Sequence, residues 1–483
     1  MIKEALLKYK NLPVQMKASF WFLICAFLQK GISAISTPIF TRIMTPAEYG
    51  QYGVFNSWYG IVTIIVGLSL TYGVHMQGLI KFSDEKEAFT SSLQGLLTSL
   101  VLVWTGIYML FSDFWNSILS LTSVQMYSML VMVWTTSIFN FWANEQRVLY
   151  KYRFLVTITL LVSIVKPLVG IYMVVTSADK VTARILAVTL VELIGYSWLF
   201  FARLKIKPIF FSKKFWKYAL CFNLPLVPHY LSQVVLNSSD RIMIKNMIGA
   251  TETGIYDLAY SVSLIMTLFN VALLQAITPW MYQKIKEKKN KDLARIAYIT
   301  LIFIAGVNIL IMCFAPEVVA VFAPPAYYDA IWIVPPVAMS VFFMFSYDLF
   351  AKFAFYYEKT RFIMLASIIA ALSNVILNYI FIDRFGYIAA GYTTLACFII
   401  YALGHYIFMQ KVCDECCNSN YPYDAKRILG ITAVFLLCGF MVLATYNLPI
   451  LRYAIILIIG TVLMCHRMSI ISWIKLIMQM KRK

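Results

Sequence analysis

The chain has 483 residues, of which 61% are hydrophobic and 13% are charged, and its formal net charge is +19. A soluble domain carries about 25% charged residues, so the composition excludes a soluble globular protein and indicates one embedded in a membrane. The positive charge is spread over many short loops, which is typical of a topology signal with attraction to anionic lipid and does not indicate nucleic acid as a partner.

Apolar windows of about 20 residues recur along the chain, each long enough to cross a hydrocarbon core of about 30 Å as a helix. The first is interrupted by Lys30 and has no small-residue cleavage site, so it is interpreted as a retained helix and not as a secretory signal. About fourteen spans are predicted, and no segment remains for a soluble domain. They are residues 18–40, 52–74, 89–111, 126–144, 155–177, 182–202, 220–244, 255–278, 296–314, 330–351, 361–382, 388–409, 428–446 and 451–466.

The distribution of lysine and arginine predicts the orientation, because these residues near helix ends resist translocation. If the N-terminus is inside, 31 of the 41 basic residues lie in inner segments and about six in outer segments. The other four, Lys30, Lys166, Arg241 and Lys352, lie inside apolar spans. Both termini are therefore predicted to be cytoplasmic.

An internal repeat with an offset of 204 residues relates MTPAEYGQYGVFNS, from Met44, to IGATETGIYDLAYS, from Ile248. Thr45, Pro46 and Glu48 have the spacing of a capping box with proline at the first helical position, so they predict a helix start. The offset covers six spans, an even number, so the copies have the same orientation across the membrane and predict two parallel lobes. The predicted domains are a first lobe at 1–210, a second lobe at 211–412, and two further helices with a cytoplasmic tail at 413–483.

Charged residues inside the spans are costly in lipid, so they should face protein or water. Lys30 and Lys166 predict a water-filled, cationic cavity for an anionic substrate group, with Arg42 and Arg241 toward the outer ends suited to phosphate. Two structural alternatives remain open from the sequence. Lys166 could pair with Glu192 on the neighbouring helix, and Arg241 could be neutralised by the adjacent Asp240.

No motif indicates an enzyme or a metal site. The four histidines have no metal-ligand spacing, and neither a nucleophile elbow nor a Walker sequence occurs. Cys413, Cys416 and Cys417 lie in a predicted inner loop, where thiols stay reduced, and they lack a second ligand pair for zinc. We therefore expect no disulfide, no bound metal and no catalytic residue.

The stretch LPLVPHYLSQVVLNSSDRIMIKNMIGATETGIYDLAY, residues 224–260, closely resembles the centre of Wzx-type polysaccharide flippases. This family belongs to the multidrug, oligosaccharidyl-lipid and polysaccharide exporter superfamily, which includes peptidoglycan-precursor flippases. TRIMTPAEYGQYGVF resembles the first hairpin of the family, and SNVILNYIFIDRFGYIAAGYTTLACF resembles its helices 11 and 12. The resemblance covers most of the chain and is specific for the family but not for the substrate.

The resemblance implies an all-α, polytopic flippase of two lobes in the bacterial plasma membrane. Its substrate would be a polyprenyl-pyrophosphate-linked repeat unit of O-antigen, capsule or exopolysaccharide, moved to the outer leaflet by alternating access. Lys30, Arg42, Lys166 and Arg241 would attract the pyrophosphate or acidic sugars. Glu192, Asp240, Asp257 and Asp348 would be the candidates for coupling to a proton or sodium gradient, without a bound cofactor. A polysaccharide polymerase and glycosyltransferases would be its protein partners.

Three other functions compete with this interpretation. A multidrug extruder shares the fold but needs an acidic pocket for organic cations, whereas the central charges are two lysines against one glutamate. A polysaccharide polymerase usually has a large external loop, and every predicted outer loop is short. A scaffold for glycosyltransferases would not need charged residues within the membrane.

Overall fold

The computed structural model of the chain describes residues 13–465, apart from the side chains of residues 276, 360–362, 459, 462, 463 and 465. It divides into two compact units between Ser238 and Ser239. The predicted cytoplasmic tail after residue 465, with His466, lies outside the described residues. The helices of the first unit are α1 Val14–Ile43, α2 Pro46–Gly67, α3 Gly73–Lys81, α4 Lys86–Leu110, α5 Ser112–Leu119, α6 Ser123–Val148, α7 Tyr152–Thr176, α8 Lys180–Ile206 and α9 Lys213–Asn223.

Helix α10, Val227–Met247, contains the division between the units, and the remaining helices belong to the second unit. A 3₁₀ helix, Pro325–Trp332, precedes its central helix. The helices are α11 Ala250–Ser263, α12 Thr267–Lys286, α13 Asn290–Cys313, α14 Ala315–Phe322, α15 Val334–Tyr356, α16 Thr360–Phe385, α17 Ala389–Cys416, α18 Ala425–Ala444 and α19 Pro449–Cys465. No strand occurs among residues 13–465, so the predicted all-α, polytopic fold is confirmed.

Eleven helices in the described part of the chain are long and apolar enough to cross a membrane. A twelfth span results if α5 and α6, which meet at 87°, are counted together. The predicted number of about fourteen is not confirmed. The two remaining predictions, 52–74 and 451–466, coincide with α2, which is rich in tyrosine and small polar residues, and with α19, which has 17 residues.

The ends of the helices follow the 204-residue repeat. Helix α1 ends at Ile43 and α10 at Met247, while α2 begins at Pro46 and α11 at Ala250. The predicted capping box is present in the first copy, because Thr45 accepts from the Glu48 amide and Glu48 accepts from the Thr45 amide. In the second copy Gly249 precedes the helix without a side-chain cap. The helix boundaries therefore repeat with the 204-residue offset, whereas the hydrogen bonds that cap the helices do not.

Each unit has its own buried centre. In the first unit α8 packs against α6 and α7, and α1 lies along α7. In the second unit α15 is almost entirely buried and packs mainly against α17, with α13 beside it. Helix α18, one of the two predicted additional helices, packs on α13 and α15. The interiors of both units are therefore mainly apolar, with buried polar residues distributed among them.

One of those polar contacts is a buried ion pair between Arg203 on α8 and Glu145 on α6, whose side chains are 11% and 7% exposed. Replacing Arg203 alone with methionine leaves a buried carboxylate unpaired, so we expect a loss of about 3–5 kcal/mol in the free energy of unfolding. The combination of Arg203→Met with Glu145→Leu should restore most of it. Thermal unfolding of the purified protein measures both effects, and an unchanged melting temperature in the single variant would contradict the prediction.

Candidate functional site

Five residues on four helices of the first unit form a connected set, which we call the first-unit cluster. The carboxylate of Glu192 is at its centre, and Lys166 Nζ lies 2.5 Å from Glu192 Oε1. Glu192 Oε2 accepts from the hydroxyls of Thr136 at 2.8 Å and Thr135 at 3.2 Å. Tyr59 donates to Thr136 at 3.0 Å. Each oxygen of the buried carboxylate therefore has a donor, and these contacts fix Glu192 beside Lys166.

The ammonium of Lys166 is the open part of the first-unit cluster. The side chain of Lys166 is 29% exposed, whereas that of Glu192 is 6% exposed. The structural alternative from the sequence, a pair between these two residues on neighbouring helices, is the arrangement found. An anion that approaches Lys166 therefore competes with Glu192, and contact of Lys166 with a substrate stays a prediction.

Helix α1 carries the other two basic candidates of the first unit, and both are exposed. Lys30 has no carboxylate partner within the described residues. The preceding residue, Gln29, donates to Ser163 Oγ at 3.2 Å, and Ser163 lies one turn before Lys166 on α7. The turn with Lys30 therefore packs beside the turn with Lys166. Arg42, in the last turn of α1, donates to the Pro38 carbonyl at 2.8 Å, and its contact with a substrate also stays a prediction.

The second unit contains a buried carboxylate cluster around Asp240, which has no exposed surface. Tyr256 donates to Asp240 Oδ2 at 2.5 Å and Thr394 donates to the same oxygen at 2.9 Å. Asn378 donates to Oδ1. Asn374 accepts from Asn378 at 3.2 Å. All the donors to Asp240 found in the described part of the chain are neutral, so no basic side chain there balances the charge of this carboxylate.

Arg241 is paired with Asp257 on α11, and its guanidinium carbon lies 4.4 Å from the centre of the Tyr260 ring. The alternative that Asp240 neutralises Arg241 is therefore wrong. Successive side chains on a helix point about 100° apart, so Arg241 and Asp240 meet different neighbours. Both Arg241 and Asp257 are mostly buried. Their roles in binding substrate or a coupling ion stay predictions.

The last candidate carboxylate, Asp348 on α15, lies four residues before Lys352. Lys352 Nζ is 3.4 Å from Asp348 Oδ1, which is the spacing of an ion pair along one helix face. The charge of Lys352 within an apolar span is thus balanced by Asp348 on the same helix. A role for Asp348 in ion coupling stays a prediction.

The sequence identifies the charged residues of both units but not the neutral residues that form hydrogen bonds with them. Asn374 and Asn378 were within a stretch used for the family resemblance, yet they were not predicted to contact Asp240. Their spacing of four residues within an apolar span would have been the signal, because it places two amides on one face. Thr135 and Thr136 gave no comparable signal, since their partner Glu192 is on another helix.

Comparison with known families gives two matches. The sequence profile described as polysaccharide biosynthesis protein matches residues 16–285, and the profile described as MatE matches residues 225–380. An Lsg locus protein of Haemophilus influenzae is 29% identical over 213 residues, which are 41% of this chain and 51% of that protein. The chain thus spans about half the length of the curated relatives it matches.

Solved structures with a similar fold include a flippase and transporters. Lipid II flippase MurJ, in an inward closed conformation, has a TM-score of 0.68 at 15% identity, and the similarity covers 92% of this chain and 99% of that one. An inward-facing multidrug resistance MATE family transporter of the MOP superfamily has a TM-score of 0.61 at 15% identity, covering 81% and 96%. These likenesses show the fold. The matches are to transporters and flippases and not to enzymes, in agreement with the absence of catalytic motifs.

Proposed function

Because the chain belongs to the family of polysaccharide biosynthesis proteins, we propose that it flips polyprenyl-pyrophosphate-linked oligosaccharide repeat units across a bacterial plasma membrane. The direction would be from the cytoplasmic to the outer leaflet, by alternating access. Both termini would be cytoplasmic, as the basic residues predict. The polysaccharide could be an O-antigen, a capsule or an exopolysaccharide, and a polymerase would use the product on the outer side.

The observation that carries the proposal is the exposed ammonium of Lys30 near the middle of α1. A lysine at the centre of a bilayer costs about 2.5–3.5 kcal/mol on insertion scales, and Lys30 has no carboxylate partner in the described residues to offset this. This free-energy cost of insertion is avoided if the Lys30 ammonium faces a water-filled path. A cation in such a path attracts the pyrophosphate of a lipid-linked sugar, while the apolar tail remains in lipid.

Lys166 in the first-unit cluster gives this path a second cation, which becomes available when its ion pair with Glu192 opens. While Lys166 is paired with Glu192, the pair is neutral as a whole. A pyrophosphate carries more negative charge than one carboxylate, so it competes for the partly exposed ammonium. Thr135 and Thr136 would continue to hold Glu192 when Lys166 turns toward the substrate. Lys166 would therefore bind the headgroup transiently, as release on the outer side requires.

Asp240 is the favoured site for ion coupling among the four candidate carboxylates. Glu192, Asp257 and Asp348 each have a basic partner, whereas the donors to Asp240 in the described residues are neutral. An unbalanced buried carboxylate gains most from a proton or a sodium ion. The hydroxyl oxygen of Thr394 adjoins it, and oxygen ligands suit hard cations. We infer that ion binding at Asp240 drives the transport cycle.

A cation-coupled multidrug extruder is the second candidate, because the MatE profile matches residues 225–380. Such a protein would carry organic cations, which an exposed Lys30 repels. The first unit thus favours an anionic cargo over a cationic one.

Reconstituted vesicles test the proposed function. We expect the purified protein to make a fluorescent polyprenyl-pyrophosphate oligosaccharide accessible to a glycosidase added outside, and a fluorescent organic cation should not be transported. The control is vesicles with the triple variant Lys30→Ala, Lys166→Ala and Glu192→Gln, which should leave the substrate protected. Transport of the cation without flipping of the lipid-linked sugar would overturn the proposal in favour of the extruder.

A further inference from the structure

A second arginine site lies in the first unit, at the end that is predicted to face outside. Arg184, near the start of α8, inserts its guanidinium between the end of α1 and the start of α2. The guanidinium carbon is 3.9 Å from the centre of the Phe40 ring and 3.8 Å from that of Tyr52. Tyr49 contributes a third ring at 5.2 Å. The rings hold the cation in one place by cation–π attraction.

The in-plane donors of Arg184 are almost unused. A guanidinium has five N–H donors, and the one acceptor found for them among the described residues is the thioether sulfur of Met44 at 3.6 Å, a weak acceptor. Two acidic side chains at this end of the unit have other partners. Glu48 accepts from the Thr45 amide at 2.7 Å, and Asp179 accepts from the Thr182 amide at 3.0 Å. Arg184 is thus half-buried, fixed in position and still able to donate to an oxyanion.

Two more cations lie at the same end of the first unit. Lys180 donates to the Ile43 carbonyl at 2.8 Å, which places its ammonium at the junction between α1 and α2. Arg42 is in the last turn of α1 and is exposed. The positive charges at this junction therefore reinforce one another, and an anion would relieve their repulsion.

We propose that Arg184 is the centre of an oxyanion-binding site, assisted by Lys180, that takes the phosphate or carboxylate groups of the transported headgroup where it emerges. The identity of that headgroup rests on the proposed function, whereas the binding site does not. The rings fix the guanidinium before the ligand arrives, so little side-chain entropy is lost on binding. A planar fork of donors matches phosphate and carboxylate oxygens in pairs.

Binding of inorganic pyrophosphate to the purified protein in detergent tests the site, with phosphorus NMR as the readout. We expect Arg184→Met to weaken binding at least tenfold and Arg184→Lys to weaken it severalfold, because lysine keeps the charge but not the fork. The control, Arg153→Met, removes one exposed arginine at the start of α7, the opposite end of this unit, and should bind as the wild type does. Galacturonate labelled with carbon-13 and followed by carbon NMR distinguishes recognition of a sugar carboxylate from recognition of a phosphate.

The outcomes separate the site from the flippase function, because the binding measurement needs no flipping. Pyrophosphate or galacturonate binding that depends on Arg184 supports the site even if the vesicle assay fails. The proposal is overturned if neither anion binds to the wild type, or if both Arg184 variants bind with wild-type affinity. If Arg184→Met does not fold, Arg184→Lys decides, since it retains a cation between the rings.

Discussion

Replacing Lys30 and Lys166 together with alanine is expected to abolish polysaccharide export and to trap the lipid-linked oligosaccharide on the inner leaflet. Hydrogen bonds to charged groups contribute about 1.5–3 kcal/mol each, so the loss of two should slow flipping about 100-fold or more. Surface polysaccharide and the amounts of lipid-linked intermediate in each leaflet provide the measurement. Normal surface polysaccharide in cells with the double variant would refute the cationic path.

The pairing of Lys166 with Glu192 calls for a control that separates transport from folding. Lys166→Ala alone leaves a buried carboxylate without its counter-ion, which costs about 3–5 kcal/mol and could lower the amount of protein. The triple variant, with Glu192→Gln added, removes that charge as well. If the triple variant reaches the wild-type protein level and still does not export, the cations themselves are required. If it exports normally, the pair serves only to join α7 and α8.

Asp240→Asn is expected to remove the dependence of transport on an ion gradient and to leave passive flipping intact. Asparagine keeps the shape and one acceptor oxygen, but it cannot balance a sodium ion or take up a proton. In vesicles with an imposed sodium or proton gradient, the wild type should concentrate substrate in one leaflet. The variant should stop at an equal distribution between the leaflets.

Two controls define the role of Asp240. Asp240→Ala should destabilise the protein, because three buried donors lose their acceptor at about 1–3 kcal/mol each. Asp348→Asn should retain gradient-driven transport, since Lys352 already balances that carboxylate. Accumulation by Asp240→Asn equal to that of the wild type would exclude this carboxylate as the coupling site.

Much of the architecture could be predicted because its determinants are local. The Thr45 capping box depends on residues three apart, and the apolar spans depend on windows of one helix length. The frame of the repeat also follows from sequence, since the ends of α1 and α10 differ by the predicted offset. The number of spans is harder to predict because α2 contains polar residues that pack inside the protein. Hydropathy alone does not identify a membrane span of that composition.

The partners of the charged residues could be predicted only in part, because they depend on how helices face one another. The pair of Lys166 and Glu192 was foreseen as an alternative, since both lie near the middle of neighbouring spans. The partner of Arg241 was not foreseen, because Asp257 lies on a different helix and Asp240 is the nearer residue in sequence. The aromatic rings around Arg184 likewise come from other helices, since they lie on α1 and α2 while Arg184 lies on α8. Such contacts require the rotation of each helix, which the hydrophobic pattern of a mostly apolar span does not specify.

The chemical accessibility of position 30 tests the cationic, water-filled path most directly. Lys30→Cys, in a chain whose nine native cysteines are replaced, would be treated with membrane-impermeant methanethiosulfonates of opposite charge. A water-filled path predicts that the reagents label the thiol at position 30, because the substitution removes the lysine charge but not the water that carries the reagents. A thiol at position 30 that neither reagent labels, while a thiol at an exposed loop position reacts, would place this residue in lipid and contradict the path.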